Sequence, residues 1–229
     1  MAEHLPIDGR VHAAIIAAII DDGAAPSPAE LARAVGAGPA DIDASLARLV
    51  DNHGLVLQPG RPEVWIIHPF SLTPTNVWVA GATRGWWAPC MWCGLGVAHL
   101  AGEDVVIYAR IGGEREDVAI AVRGGTPADD LVVHFPYPAR TAWENVVGWC
   151  ASVQPFRSAD DVAPWCARHR LPRGAIHPLA QVNEVARRWY GGYRDPGWRK
   201  WSTVEAQAIF GAVGMTGDAW DVSARDGRF

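Results

Sequence analysis

The chain has 229 residues, of which 49% are hydrophobic, and a formal net charge of −5. It is therefore long enough for one large domain, or two smaller ones, with a buried core. No apolar run reaches the roughly 18 residues that a membrane helix needs, and the start of the chain lacks the basic and apolar segments of a secretory signal. We expect a cytoplasmic protein without membrane contacts, whose four cysteines stay reduced unless they are catalytic or bind metal.

Residues 1–70 predict three helices followed by a hairpin. Apolar residues recur at helical spacing over 8–22. A capping sequence at Ser27 begins a second helix, and 38–54 predicts a third that ends at a glycine. Two short apolar runs around a Pro-Gly turn then predict a hairpin. This order is typical of a winged-helix-like domain.

The charge of this first domain argues against nucleic-acid binding. Residues 1–70 hold nine acidic residues and four arginines, whereas 71–229 hold 16 of each sign. A protein that binds DNA needs lysine and arginine to neutralise phosphates. We therefore predict a structural or dimerisation role without a nucleic-acid partner, and the sequence leaves a homodimer open.

Residues 71–229 predict a second domain of α+β class, joined through a linker at 68–76. Strands are predicted in VWVAG, EDVVIYARIG, REDVAIAVRGG, DDLVVHFPYP and, as a central strand, AWENVVGWCASVQPF. Helices are predicted in CMWCGLGVAHLAG, SADDVAPWCARHR, PLAQVNEVARRWYGGY and STVEAQAIFGAVG. The result is a mostly antiparallel sheet with packed helices and a Trp-rich helical extension over 189–229.

Three interpretations of the pair Cys90-x-x-Cys93 do not depend on resemblance to a known protein family. Buried thiols without chemistry are the commonest case for a free cysteine. A redox pair would suit the spacing, but the βαβ pattern of a thioredoxin-like domain is missing. A zinc site could combine the pair with Cys166-x-x-His169, although the two pairs lie unusually far apart in the sequence.

A fourth interpretation comes from resemblance. The segments MWCGLG, GWCASVQPF and SADDVAPWCARH resemble, in order and spacing, those of the organomercurial (alkylmercury) lyase family. The resemblance runs from about residue 10 to about residue 188. It implies a winged-helix-like domain followed by antiparallel sheet and helices. It also implies that Cys93 and Cys150 take the places of the family's two catalytic cysteines.

In that family two thiolates bind the mercury of R–Hg⁺, and an aspartate three residues after the first cysteine passes a proton to the leaving carbon. General chemistry accounts for this arrangement. Soft thiolates prefer soft metals such as mercury, and an acid must protonate the carbon that leaves the metal. The resemblance implies that Hg(II) remains on Cys93 and Cys150 until external thiols remove it. No cofactor is required.

This sequence departs from the family at the aspartate, whose place is taken by Gly96. His99, one helical turn further, or Cys90, one turn before Cys93, could supply the proton instead. Glu144 is a more distant candidate. Without a catalytic role, His99 would be an ordinary core or helix-end histidine, Cys90 a buried thiol and Glu144 a solvated glutamate.

Tryptophans surround both cysteine segments. Trp92, Trp149 and Trp87 are the candidates for substrate contact, with Trp86 and Trp143 near them in sequence. Tryptophans of this kind usually belong to a hydrophobic core. Facing a cavity, they would form a dry aromatic pocket suited to a small organic ligand.

The leading hypothesis is an organomercurial-lyase-like enzyme that cleaves a carbon–mercury bond by protonolysis. One alternative is a divergent homologue that uses the cysteine pocket as a lyase or hydrolase on an organic metabolite. Another is a non-enzymatic thiolate protein that binds copper(I) or zinc, or senses a metal. Release of a hydrocarbon distinguishes the lyase from a metal-binding protein.

Overall fold

The computed structural model describes residues 5–223, which form eight α-helices, eleven β-strands and short 3-10 turns. The helices are α1 (Pro6–Asp22), α2 (Pro28–Val35), α3 (Pro39–Asp51), α4 (Met91–Ala101), α5 (Val146–Ser152), α6 (Ala159–His169), α7 (Leu179–Tyr190) and α8 (Thr203–Ala212). The strands are β1 (Val56–Leu57), β2 (Val64–Ile67), β3 (Phe70–Ser71), β4 (Val77–Ala80), β5 (Gly85–Ala88), β6 (Val105–Arg110), β7 (Asp117–Arg123), β8 (Thr126–Pro127), β9 (Val132–Phe135), β10 (Gln154–Phe156) and β11 (Ala175–Pro178). Within this part of the chain, no helix is both long enough and apolar enough to span a bilayer.

The strands form two antiparallel sheets. The larger has the order β1-β2-β3-β5-β4-β6-β7-β8, and the smaller has the order β10-β9-β11. Burial alternates along β6 and β7, because one face of each strand lies on the core and the other faces solvent. The predicted α+β class with a mostly antiparallel sheet is confirmed.

The N-terminal region contains the three predicted helices, followed by the antiparallel pair β1 and β2. The sheet does not stop at the expected boundary near residue 70. Strand β3 pairs with β2 on one side and with β5 on the other, through Ser71 and Trp87. The first strands of the chain and those of the larger C-terminal part therefore share one sheet.

Two sequence predictions about local structure are wrong. The segment 68–76, expected to be a linker, begins with buried residues, and Phe70 and Ser71 form β3. The expected central strand around Cys150 is mostly helical: a 3-10 turn and α5 precede the short β10. Asn145 begins α5, because its side-chain oxygen accepts the Gly148 N–H at 3.0 Å. That cap outweighs the strand preference of the following β-branched residues.

The C-terminal extension packs across both parts of the molecule. The Trp198 ring stacks on His12 of α1, with ring centroids 3.5 Å apart. Further along, the Trp220 indole N–H donates to His177 Nε2 at 2.8 Å. Both tryptophans are buried, so the extension is part of the hydrophobic core, and its Lys200 lines the cavity described below.

A buried ion pair joins the first and third helices. The Asp8 carboxylate of α1 is fully buried and accepts from Arg48 of α3 at 2.7 Å. Its oxygens also accept the Ser45 hydroxyl and the Leu5 N–H, at 2.7 and 2.8 Å. A buried carboxylate needs such partners, since an unpaired charge in the interior is costly.

We predict that Arg48→Met destabilises the protein by about 2–4 kcal/mol, because it leaves the Asp8 charge buried without its cation. Arg61→Met is the matched control, since Arg61 and its partner Glu63 are largely exposed. That change should alter the free energy of unfolding by less than about 0.5 kcal/mol. Urea unfolding of both variants measures the difference, and equal stabilities would contradict a structural role for the Asp8 pair.

Candidate active site

A largely apolar cavity lies where α4, α5, α7 and the turn between β2 and β3 meet. It encloses about 430 Å³ of atom-free space, part of which is open to solvent. Its walls combine three cysteines, four tryptophans and a few other groups. The lining residues are His68, Cys90, Trp92, Cys93, Ala142, Trp143, Val146, Trp149, Cys150, Trp189, Tyr190 and Lys200.

Three of the four cysteines converge on this cavity. Cys90 immediately precedes α4 and caps it, because its sulfur accepts the Cys93 N–H at 3.4 Å. The sulfurs of Cys90 and Cys93 lie 3.3 Å apart, since residues three apart share one face of a helix. Cys150 arrives from α5, and its sulfur lies 3.5 Å from His68 Nε2. The three cysteines are 1–3% exposed.

These residues offer donors suited to a soft metal ion. His68 Nε2 and the sulfurs of Cys93 and Cys150 all lie within 4.8 Å of one another. Thiolates and imidazole favour soft and borderline metals over hard ones. The donor set is therefore appropriate for mercury as a substrate.

The alternative zinc set from the sequence is not brought together. Cys166 lies in a separate hydrophobic cluster, where its sulfur donates to the Pro172 carbonyl at 3.4 Å. His169 pairs with Glu114 at 2.7 Å on the surface. Among the described residues, the one group of three or more potential ligands is that of His68, Cys93 and Cys150.

Cys90 is the sulfur that most favours the thiolate form. Burial raises the pKa of Cys90, but hydrogen bonds with Cys150 and Cys93 and with the N–H groups at the start of α4 lower it well below the ordinary value. A helix N-terminus stabilises a thiolate through these N–H groups and the helix dipole.

The pKa values of the other two thiols shift in the opposite direction, which favours their protonated forms. Burial raises the pKa of Cys93 well above its ordinary value, and the neighbouring Cys90 raises it further. Hydrogen bonds with Cys90 and Cys93, together with burial, raise the pKa of Cys150 in the same way. Burial, aided by the charge of Lys200, lowers the pKa of His68 to about 3, which makes it neutral. Of the three sulfurs, Cys90 is therefore the one that gives up its proton most readily.

Two of the three predicted substrate-binding tryptophans line the cavity. Trp92 and Trp149 meet edge to face, with ring centroids 6.5 Å apart. Trp87 does not line it: its ring packs against Trp78 on the other face of the sheet. Successive side chains of a strand point to opposite faces, so buried Trp86 and partly exposed Trp87 extend from opposite sides of β5.

The structure also shows where the candidate proton donors lie that could replace the family's aspartate, which is absent at Gly96. His99 lies outside the cavity, where its Nε2 meets Asn183 Oδ1 at 3.0 Å. Glu144 is exposed at the end of its 3-10 turn. Of the candidates from the sequence, only Cys90 lines the cavity.

The space beside Gly96 is filled by Tyr190 of α7. A Cβ atom at position 96 would overlap the Tyr190 ring. The Tyr190 hydroxyl lies 3.5 Å from the Cys93 sulfur, and the side chain is 2% exposed. Position 96 therefore has no room for a side chain while Tyr190 occupies its present place.

Sequence reasoning missed His68, Tyr190, Trp189 and Lys200 as cavity residues. His68 was assigned to a linker, and the other three follow Cys150 by 39 residues or more. The one available signal was Gly96 itself. A buried helical glycine often marks the close approach of another group, and here that group is an aromatic ring.

We predict that Gly96→Ala destabilises the protein by about 1–3 kcal/mol, because the added methyl group forces the Tyr190 ring to move. Gly211→Ala is the control, since that glycine is also helical and a Cβ there would meet nothing within 4 Å. It should gain up to about 1 kcal/mol from higher helix propensity. Chemical denaturation checks both variants, and an unaffected Gly96→Ala would show that the close contact is absent.

Comparison with known proteins agrees with this geometry. The family model described as "MerB: Alkylmercury lyase" matches residues 70–191. The solved structure described as the mercury-bound form of MerB2 is similar in fold, with a TM-score of 0.64 and 19% identity over 82% of this chain and 91% of that chain. No curated protein matches the chain. Since the matched segment is more than half of its 229 residues, the chain belongs to the alkylmercury lyase family.

Proposed function

We propose that the protein cleaves the carbon–mercury bond of organomercurials by protonolysis, with Cys93 and Cys150 as the sulfur ligands of mercury. The observation that carries this proposal is the convergence of three buried thiols on one aromatic cavity, with the donors of His68, Cys93 and Cys150 within 4.8 Å. Membership of the alkylmercury lyase family supports the same reaction.

Capture of the substrate uses the negative charge of Cys90. As R–Hg⁺ enters, the Cys150 sulfur bonds to mercury and its proton passes to the Cys90 thiolate. The hydrogen bond between Cys90 and Cys150 provides the path for that proton. The products are R–Hg–S–Cys150 and a neutral Cys90 thiol, so charge and protons balance.

Cleavage uses the proton of Cys93. The Cys93 sulfur forms the second bond to mercury, and its proton ends on the leaving carbon as the carbon–mercury bond breaks. The hydrocarbon RH departs, and Hg(II) remains between Cys93 and Cys150. Two sulfur ligands stabilise the metal in the product, which favours loss of the carbon ligand.

The cavity walls account for the organic part of the substrate. Trp92, Trp149, Trp143 and Trp189 provide an apolar surface for the group R and exclude water from the sulfur cluster. Neutral His68 is an additional donor for the mercury ion. We expect small external thiols of a reducing cytoplasm to remove Hg(II), and the reaction requires no resident cofactor.

A second candidate is a protein that binds a bare soft metal ion without catalysis. The neutral imidazole of His68 favours it, because three sulfurs and one nitrogen together could surround an ion completely. Both candidates bind mercury, but only the lyase releases one hydrocarbon for each organomercurial consumed.

We predict that Cys93→Ser and Cys150→Ser each lower turnover by about 100-fold or more, because a serine oxygen is a poor ligand for soft mercury and a poor proton source. The assay mixes phenylmercury with excess small thiol and follows benzene by gas chromatography. Cys166→Ser is the matched control, since that buried cysteine lies outside the cavity. Its turnover should equal that of the wild type.

Turnover by either serine variant at the wild-type rate would contradict the assigned ligands. A wild-type protein that binds mercury tightly and releases no benzene would contradict the lyase reaction and favour the metal-binding candidate. Titration of each variant with Hg(II) separates loss of binding from loss of cleavage.

A further inference from the structure

Where the alkylmercury lyase family has its catalytic aspartate, this protein has Gly96, which has no side chain. Another residue occupies the space that the aspartate side chain would fill. Tyr190 lies against Gly96, where any side chain would overlap its ring. Its hydroxyl reaches the Cys93 sulfur at 3.5 Å and is buried in the wall of the cavity. Gly96 and Tyr190 are thus a complementary pair: the missing side chain of one makes room for the ring of the other.

The residues of the cavity wall limit which group can donate the proton to the leaving carbon. Among the described residues that line the cavity, none carries a carboxylate and Tyr190 alone carries a hydroxyl. His68 is neutral, and its Nε2 lies 3.5 Å from the Cys150 sulfur. The Lys200 ammonium donates to the His53 carbonyl at 3.0 Å and lies over the Trp143 ring.

We propose that the Tyr190 hydroxyl delivers the proton to the leaving carbon and takes the Cys93 proton in return. This inference rests on the lyase function proposed above. The electron pair of the carbon–mercury bond takes the hydroxyl proton and becomes a C–H bond. The S–H bond of Cys93 breaks, its proton restores the hydroxyl, and its sulfur binds mercury. Tyr190 ends the reaction unchanged.

A phenol suits this relay because it can donate and accept a proton at the same oxygen. Burial in the cavity wall disfavours the charged phenolate, so the hydroxyl keeps its proton until the carbon takes it. A carbon leaving mercury as a carbanion is a far stronger base than a phenolate, so the transfer to carbon is downhill.

Tyr190→Phe tests the relay with little change to the packing. It keeps the ring that lies on Gly96 and removes only the oxygen. Tyr193→Phe is the matched control: that ring lies 5.0 Å from the Tyr190 ring and is equally buried, but it does not line the cavity. For each protein, mercury stoichiometry and single-turnover release of benzene from phenylmercury are measured.

Tyr190→Phe should bind one equivalent of phenylmercury and release benzene at least about 100-fold more slowly, as expected for the loss of a proton-transferring group. Tyr193→Phe should match the wild type in both measurements. Release by Tyr190→Phe at the wild-type rate would overturn the relay alone. A wild-type protein that binds phenylmercury and never releases benzene would overturn the lyase function, and the relay with it.

A second pair of variants tests whether Tyr190 takes the place of the family's acid. This test does not depend on how well Tyr190→Phe folds. Tyr190→Ala removes the ring and opens the space beside position 96. Adding Gly96→Asp to it would put a carboxylic acid where the family has one. The double variant should release benzene at least about 10-fold faster than Tyr190→Ala alone, because the acid is restored. A double variant that is no faster would overturn the assignment of the acid's place to Tyr190.

Discussion

The close packing of α7 on α4 is the contact on which the site depends. Gly94 of α4 faces Val77 of the sheet, and Gly96 faces Tyr190 of α7. The two glycines lower helix propensity, but they let the helix lie between the sheet and α7 with almost no space on either side. This arrangement keeps Cys93 in the interior and brings Trp189 and Tyr190 to the same cavity. A larger residue at either glycine would push α4 away from the sheet or from α7 and so change the cavity between them.

The electrostatics of the sulfur cluster follow from its burial. The N–H groups at the start of α4 stabilise negative charge on the buried Cys90 sulfur, whose pKa is lowered. Burial and the neighbouring sulfurs raise the pKa of Cys93 and that of Cys150, which favours their protonated forms. In the proposed mechanism, the cluster starts with Cys90 as the base and with the thiol protons of Cys93 and Cys150. One proton leaves at capture, and the other is available for the carbon, which matches the needs of protonolysis.

Local signals in the sequence predicted much of the fold. Ser27 with Glu30 and Ser202 with Glu205 form the helix caps that their spacing indicates, and the strand patterns of β6, β7 and β9 are confirmed. Family membership also agrees with the residues around Cys93 and Cys150. The rest depends on tertiary packing. His68 and Tyr190 reach the cavity from segments far from both cysteines, and no local pattern encodes such a convergence. The same holds for α5, where the Asn145 cap outweighs the β-branched residues that suggested a strand.

The most direct measurement is the intact mass of the protein after it is mixed with one equivalent of phenylmercury in the absence of free thiol. The expected result is a protein that carries bare mercury in place of two thiol protons, with one equivalent of benzene released. Without an external thiol the metal should remain on the protein, since Cys93 and Cys150 both hold it. A protein that still carries the whole phenylmercury group after prolonged incubation would contradict the account.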